Sequence, residues 1–250
     1  MRGRVSVILP AYNEGEHIAE SIALVKDLFS SACNELEIIV VDDGSTDETL
    51  VAAEGTADEQ TKIVGYPRNQ GKGHAIRQGF RRVTGEVTFI LDSDMEIAPR
   101  DLHQYLNALN SVDIAIGSKR HRLSQVRTPA MRMFLSLGFN LLERMLTGVR
   151  ATDTQAGLKC AKSEALYEIL PLLSVKKYAF DAEMLAVASL LKFKIGELPV
   201  EIDLRASFSA RKVSRMLVDL LGIAYRLRIR RWYQENHKQM TDTYRPIIRW

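Results

Sequence analysis

The sequence predicts an α/β fold, a mostly parallel sheet flanked by helices, and three observations carry that prediction. Short apolar runs alternate with helical-period segments through the first half of the chain, the pattern of a parallel sheet with crossover helices. The runs are apolar throughout rather than at every second residue, as strands buried on both faces are. Each run also stops abruptly in glycines, acids or basic residues. In open α/β sheets ligands bind at that edge.

Taken in order, residues 5–9 form the first strand, closed by Pro10-Ala11-Tyr12-Asn13-Glu14-Gly15. Ile18, Ile22, Val25 and Phe29 then recur near helical spacing. Residues 36–41 are the second strand, ending in Asp42-Asp43-Gly44-Ser45-Thr46-Asp47-Glu48. Ser45 and Glu48 have capping-box spacing, which predicts a helix starting there. Residues 62–65 are a third strand, and a helix over 74–83 follows the turn Arg68-Asn69-Gln70-Gly71-Lys72-Gly73. Residues 87–91 are the next strand. Pro99 reads as the opening of a helix, and residues 112–116 as a strand leading into Gly117-Ser118-Lys119-Arg120. The second half is less regular. An amphipathic helix spans 129–146, 153–159 return to the sheet, and a helix runs over 180–191. Pro199 makes 195–202 an edge strand, and a long helix covers 211–233.

With 250 residues, 46% hydrophobic and 26% charged, the chain can bury one sizeable core. A net charge of +3 gives no reason to expect nucleic acid, and no nucleic-acid motif is present. Cys33 and Cys160 lack metal spacing and fit a reducing compartment; the five histidines likewise show no metal spacing. The first apolar run is too short for a signal peptide. No apolar stretch approaches the ~20 residues of a transmembrane span; the longest are broken by Arg132, Glu143 and Arg144, or by Asp219.

Asp92, Asp94 and Glu96 end the 87–91 strand at i, i+2 and i+4, and extended backbone points such residues the same way. Carboxylates so placed repel one another unless a cation lies between them, and hard oxygen ligands suit Mg2+ or Mn2+. Read alone, the triplet serves equally as a solvated acidic turn, and Asp42 and Asp43 read first as helix caps.

The order and spacing of Val5-Ser6-Val7-Ile8-Leu9-Pro10-Ala11-Tyr12-Asn13-Glu14, Ile39-Val40-Val41-Asp42-Asp43-Gly44-Ser45-Thr46-Asp47, Asn69-Gln70-Gly71-Lys72-Gly73 and Asp92-Ser93-Asp94 resemble the family 2 glycosyltransferases of GT-A fold. Gly117-Ser118-Lys119-Arg120, the Arg132/Ser136 pair, Asp153-Thr154-Gln155-Ala156-Gly157-Leu158-Lys159 and Phe180-Asp181-Ala182-Glu183 are similar to the polyprenyl-phosphate branch, the dolichyl-phosphate mannose synthases and glucosyltransferases. The likeness spans about residues 4–225.

That resemblance implies a nucleotide-sugar donor over the first strand ends. Pro10, Ala11, Tyr12 and Glu14 would line base and ribose, Asp42 or Asp43 would read the base, and Lys72, Ser93 and Gln155 would complete the donor side. Asp92 and Asp94 would hold the metal, with Glu96 at a position that is often an amide in the mannose synthases. Arg120, Arg132, Ser136 and Arg205 would take the acceptor phosphate, joined by Arg211 and Lys212, around which the local sequence departs from the family's glycine-containing loop. Asp181 stands where relatives place a catalytic carboxylate, and a helix-N-terminal acid is its alternative role. A phosphate acceptor is already ionised, so transfer by inversion needs positioning and electrostatics rather than a strong base.

The implied organisation is a catalytic domain over 1–205, a basic amphipathic membrane-interface helix over 206–235 and a polar tail over 236–250. Val213, Met216, Leu217, Leu220, Leu221, Ala224 and Leu227 form that helix's apolar stripe among seven basic residues, with Trp232 and Tyr233 as interfacial aromatics; packing of the stripe into the core is the alternative. The expected enzyme sits peripherally on the cytoplasmic face of a membrane and uses UDP-glucose or UDP-N-acetylglucosamine, with GDP-mannose as runner-up donor. An oligomer or a membrane-anchored partner subunit is compatible with it, and so is a soluble sugar acceptor.

Overall fold

A computed structural model describes residues 3–244 apart from 96, 100, 128–129, 156, 178 and 204–209. In chain order the elements are β1 (Arg4–Ala11), α1 (Ile18–Ser30), β2 (Glu35–Asp42), α2 (Thr49–Glu54), β3 (Thr61–Gly65), α3 (Lys72–Phe80), β4 (Val87–Leu91), β5 (Ile97–Pro99), α4 (Leu102–Ala108), β6 (Ile114–Ser118), β7 (Gln125–Arg127), α5 (Ala130–Thr147), β8 (Leu158–Lys162), α6 (Ser163–Ile169), α7 (Phe180–Leu190), β9 (Ile195–Asp203), α8 (Ala210–Arg228) and α9 (Trp232–Tyr244). The sheet order is β3-β2-β1-β4-β8-β6-β9-β5, with β7 also paired to β9. Strands β1 to β4 pair in parallel, as the alternation predicts; β8 enters antiparallel between β4 and β6. The C-terminal ends of β1, β2, β4 and β6 and the entrance to β8 therefore share one edge.

The core has two layers because a strand's side chains alternate between faces. Val7, Leu9, Val40, Phe89 and Leu91 meet α1 and α4 on one face, where Phe29 and Phe89 pack edge to face with centroids 4.9 Å apart. Ile8, Ile39, Val41 and Ile90 meet α3, α6, α7, α8 and α9 on the other. Helix α3 comes so close that a Cβ at Gly79 would lie 2.8 Å from Ile8 Cγ2 and 2.9 Å from Val41 Cγ2.

Several elements differ from the sequence reading. Helix α2 begins at Thr49, not Ser45: Asp47 accepts from the Thr49 amide (3.0 Å), and Ser45 Oγ instead accepts from Asn13 N (3.0 Å). Pro99 closes β5, opposite Val200, and α4 starts later under the Asp101 cap. Helix α3 starts at Lys72, because Gly71 takes φ +102° and turns the chain directly into it. Strand β9 is an edge only in part: among the described residues 195–199 pair with β6 alone, whereas 200–203 pair with β5 and β7. Pro199 falls at the junction between the two halves.

The single helix expected over 211–233 is two. Arg231, at φ +49°, breaks it, and α9 continues to Tyr244 through what was read as a boundary at 235 and a polar tail. Tyr233 is fully buried and hydrogen-bonded to Glu183, so it is not an interfacial aromatic. The stripe of α8 divides in the same way: Leu220 and Leu227 join the core with Ile223, while Leu217 and Leu221 face outward beside Val218, Tyr225 and Ile229. Leu141 and Met145 of α5 are exposed alongside, and Arg228 ties the two helices by donating to the Met145 carbonyl. Among the described residues no helix is long and apolar enough to cross a membrane.

Replacing Gly79 with alanine pushes α3 off the sheet. The expected outcome is a loss of about 1–3 kcal/mol, the usual cost of overpacking, seen in urea titration as a lower midpoint at unchanged slope.

Candidate active site

The site is built on the shared strand edge. Its first two loops are stitched together: Asn13 Oδ1 accepts from Thr46 N (2.9 Å), Glu14 N donates to Thr49 Oγ1 (2.7 Å) and Gly15 N to Asp47 (3.1 Å). Asn13 adopts φ +57° within this stitch. Asp43, 3% exposed, accepts from Tyr66 OH (2.6 Å), Asn69 Nδ2 (2.9 Å), Gln70 N (2.8 Å) and Gly71 N (2.7 Å). A carboxylate offers about four acceptor sites, and these partners use them. Asp43 is thus the anchor of the glycine turn that delivers Lys72. Asp42 turns back on its own loop and accepts from Ser45 N at 3.3 Å.

Four charges alternate across the next part of the edge. Lys72 Nζ stands 2.6 Å from Asp92 Oδ1 and 3.4 Å from Asp181 Oδ2. Lys159 Nζ, almost wholly buried, stands 2.9 Å from Asp181 Oδ1. Burial alone would raise the Asp181 pKa, but the charges of Lys159 and Lys72 outweigh it and hold the carboxyl below the usual aspartate range. Burial likewise works against the Lys72 ammonium, and Asp181 and Asp92 more than reverse it, so its pKa is raised. Asp92 is held by its own amide, which donates to the Gly157 carbonyl (3.1 Å). A Cβ on Gly157 would fall 2.2 Å from Asp92 Oδ2, so only glycine fits there. Glu14 is shifted upward by burial first and then by the negative charge of Asp94, with Asp47 and Asp92 adding to it.

A cleft of about 300 Å³ opens over these groups. Pro10, Ala11, Tyr12, Glu14, Asp43, Lys72, Asp92, Ser93 and Asp94 line it. Asn69, Lys177 and Arg215, which sequence reasoning did not single out for the site, line it too. Lys159 is not paired with Asp181 in the sequence reading; a lysine inside the apolar strand Leu158–Lys162 is the signal for that partnership. Gln155 lies just before β8, with its amide nitrogen buried and, among the described residues, without a hydrogen-bond partner. Arg120 follows the end of β6, where its amide donates to Ser118 Oγ (3.3 Å). Glu96 and Arg205 lie outside the described residues, as do the side chains of Arg132, Ser136, Arg211 and Lys212.

Sheet order and strand edge define an α/β fold of the GT-A type. The fold is shared with glucosyl-3-phosphoglycerate synthase of Mycobacterium tuberculosis, whose complex with Mn2+, UDP-glucose and phosphoglyceric acid superposes with a TM-score of 0.67 at 18% identity, covering 89% of this chain and 79% of that one. The chain belongs to Glycosyl transferase family 2, whose family model matches residues 6–170. It is a glycosyltransferase. Dolichyl-phosphate beta-glucosyltransferase of Saccharomyces cerevisiae is 30% identical to it over 94% of this chain and 78% of its own length. The human protein of the same name is 30% identical over 95% and 80%.

Behind the site, Glu143 of α5 is 1% exposed. Burial pushes its carboxyl up to about 7; Thr154 and Lys159 partly offset this, while Asp153 and Asp181 add to it. A folded-state pKa above the unfolded one means that stability is full below pH 4.5 and falls as pH rises through about 7. Glu143→Gln should therefore lose less Tm than the parent between pH 5 and pH 8, as read by differential scanning calorimetry at the two pH values.

Proposed function

We propose that this enzyme transfers a hexose, glucose by preference, from a UDP-sugar to a polyprenyl phosphate of the dolichyl type, with inversion at the anomeric carbon. The relatives from yeast and human carry dolichyl phosphate and glucose in their names, and the similar solved structure holds UDP-glucose with Mn2+. The observation that carries the reading is the state of Asp181. Paired with Lys159 and Lys72 and depressed in pKa, it is a poor proton acceptor. An alcohol acceptor needs a base; a phosphomonoester arrives ionised and needs none.

In this reading an acceptor phosphate oxygen attacks C1 of the sugar as the bond from C1 to the diphosphate oxygen breaks, and the nucleoside diphosphate leaves with the electron pair. Tyr12 and Glu14 border the nucleoside. Asp43 shapes that end through Asn69 and Gly71 rather than through a spare lone pair. Lys72 lends positive charge to the diphosphate. Asp181 orients Lys72 and Lys159 instead of taking a proton. Arg120, Arg132, Ser136 and Arg205, with Arg211 and Lys212, receive the acceptor phosphate, since guanidinium forks match phosphate oxygens.

Among the described residues no three metal-ligating side chains converge on one point. A Mg2+ or Mn2+ ion fits nevertheless, because such ions commonly take one or two carboxylates and complete their shell with water and phosphate. Asp92 and Asp94 both line the cleft, so the one or two carboxylates that such an ion takes are at hand there. Asp92 and Asp94 would hold it, with Glu96 as the adjoining acid, and it would supply positive charge to the leaving diphosphate.

The outward faces of α5 and α8 complete the proposal. Leu141, Met145, Leu221 and Ile229 are each more than half exposed, beside the exposed Arg144, Arg215, Arg228 and Arg230. Apolar side chains rimmed by arginines suit a peripheral seat on an anionic, cytoplasmic membrane face.

A screen of radiolabelled UDP-glucose, UDP-N-acetylglucosamine and GDP-mannose with Mg2+ or Mn2+ tests the reaction. Label should pass to polyprenyl phosphate from UDP-glucose first; transfer only to soluble sugars would sink the proposal. Asp92→Asn should lower kcat about 10²–10³-fold, as loss of one electrostatic partner in a site does. Leu141→Asp with Ile229→Asp should abolish co-sedimentation with phosphatidylserine vesicles while leaving UDP binding unchanged.

A further inference from the structure

Glu183 lies two residues after Asp181 on α7, is completely buried, and takes no part in the chemistry above. Its carboxylate faces two ways. On one side it accepts from Ser174 N (3.0 Å), Ser174 Oγ (2.8 Å) and Val175 N (2.8 Å). On the other it accepts from Tyr233 OH of α9 and from Arg226 Nη2 of α8 (3.2 Å), and Arg226 Nε donates to Tyr233 OH (3.0 Å).

The loop it holds reaches the cleft. The Lys176 carbonyl accepts from Gly73 N at 2.8 Å and lies so near Gly71 that a Cβ there would be 2.5 Å away. A Cβ on Gly73 would be 2.4 Å from the Phe180 ring. The turn carrying Lys72 is thus gripped from one side by Asp43 and from the other by this loop. A buried carboxylate that meets one arginine and several hydrogen-bond donors costs several kcal/mol to disrupt, so the loop has little freedom while Glu183 is in place.

We propose that Glu183 is a positioning residue for Lys72: it fastens the 174–177 loop against the Gly71–Gly73 turn, and Arg226 and Tyr233 make that fastening depend on how α8 and α9 are seated. The donor side of the cleft is then coupled to α9 and to α8, the second of which carries part of the exposed apolar face. The inference rests on the transfer reading only for what Lys72 does once placed.

Hydrogen exchange on the whole chain tests the coupling without any substrate. Tyr233→Phe keeps the buried ring and removes the hydroxyl; Glu183→Gln keeps the shape and removes the charge. Both should speed exchange at Gly73 and over 174–177, while the amides of β1 and β2 stay protected. UDP with Mn2+ should then bind about fivefold more weakly or worse, the lower range of intersite coupling. In turnover the donor KM should rise while the polyprenyl-phosphate KM stays level, a split that a general loss of fold would not give. Unchanged protection at Gly73 in both variants overturns the coupling whatever the enzyme transfers. Faster exchange in a protein whose parent form transfers no sugar to polyprenyl phosphate upholds the coupling and sinks the transfer reading instead.

Discussion

The alternation of Asp92, Lys72, Asp181 and Lys159 is the constraint around which the rest of the site is arranged. Charges this recessed persist only when paired, because each loses hydration on burial. No two of the four come from the same element: Asp92 ends β4, Lys72 opens α3, Lys159 lies within β8 and Asp181 begins α7. Bringing them together requires close backbone approach, which explains Gly157 against Asp92 and Gly73 against Phe180. The antiparallel insertion of β8 between β4 and β6 has the same effect, since it carries Lys159 into the middle of the sheet opposite Ile90.

A second consequence is electrostatic economy. Lys72 and Lys159 neutralise Asp181 without help from solvent, and Asp43 is satisfied by backbone amides and neutral side chains. The edge can therefore be rigid before any ligand arrives. Preorganised charge of this kind accelerates a reaction because no dipoles need to reorient as the bond breaks.

Much of this was legible in the chain. Alternating apolar runs specify the parallel half of the sheet, and the strand-terminal acids, glycines and lysine mark the edge at which the cleft opens. What escaped the reading has physical causes. Ser45 and Glu48 have the spacing of a capping box, yet Ser45 is claimed by Asn13 from another loop, a tertiary bond that spacing cannot reveal. Pro199 marks the end of the one-sided half of β9, and the pairing of 200–203 with β5 and β7 beyond it is a tertiary arrangement that one proline cannot reveal. Residues 211–233 keep helical periodicity across Arg231, and only the burial of Tyr233 against Glu183 shows why the chain turns. Amphipathic spacing on α8 allowed two interpretations, an outward stripe or a core stripe, and it cannot tell them apart; burial divides the stripe, with Leu220 and Leu227 in the core and Leu217 and Leu221 exposed.

That dual character has an evolutionary consequence. One cylinder answers to two environments: Leu220, Ile223 and Leu227 must fit neighbours that are part of the same molecule, whereas Val218, Leu221, Tyr225 and Ile229 answer to whatever lies outside it. The first set is bound by shape and can drift only in concert with the core. The second is bound by solubility, and a lineage whose surroundings change can rewrite it residue by residue while the catalytic half stays as it was.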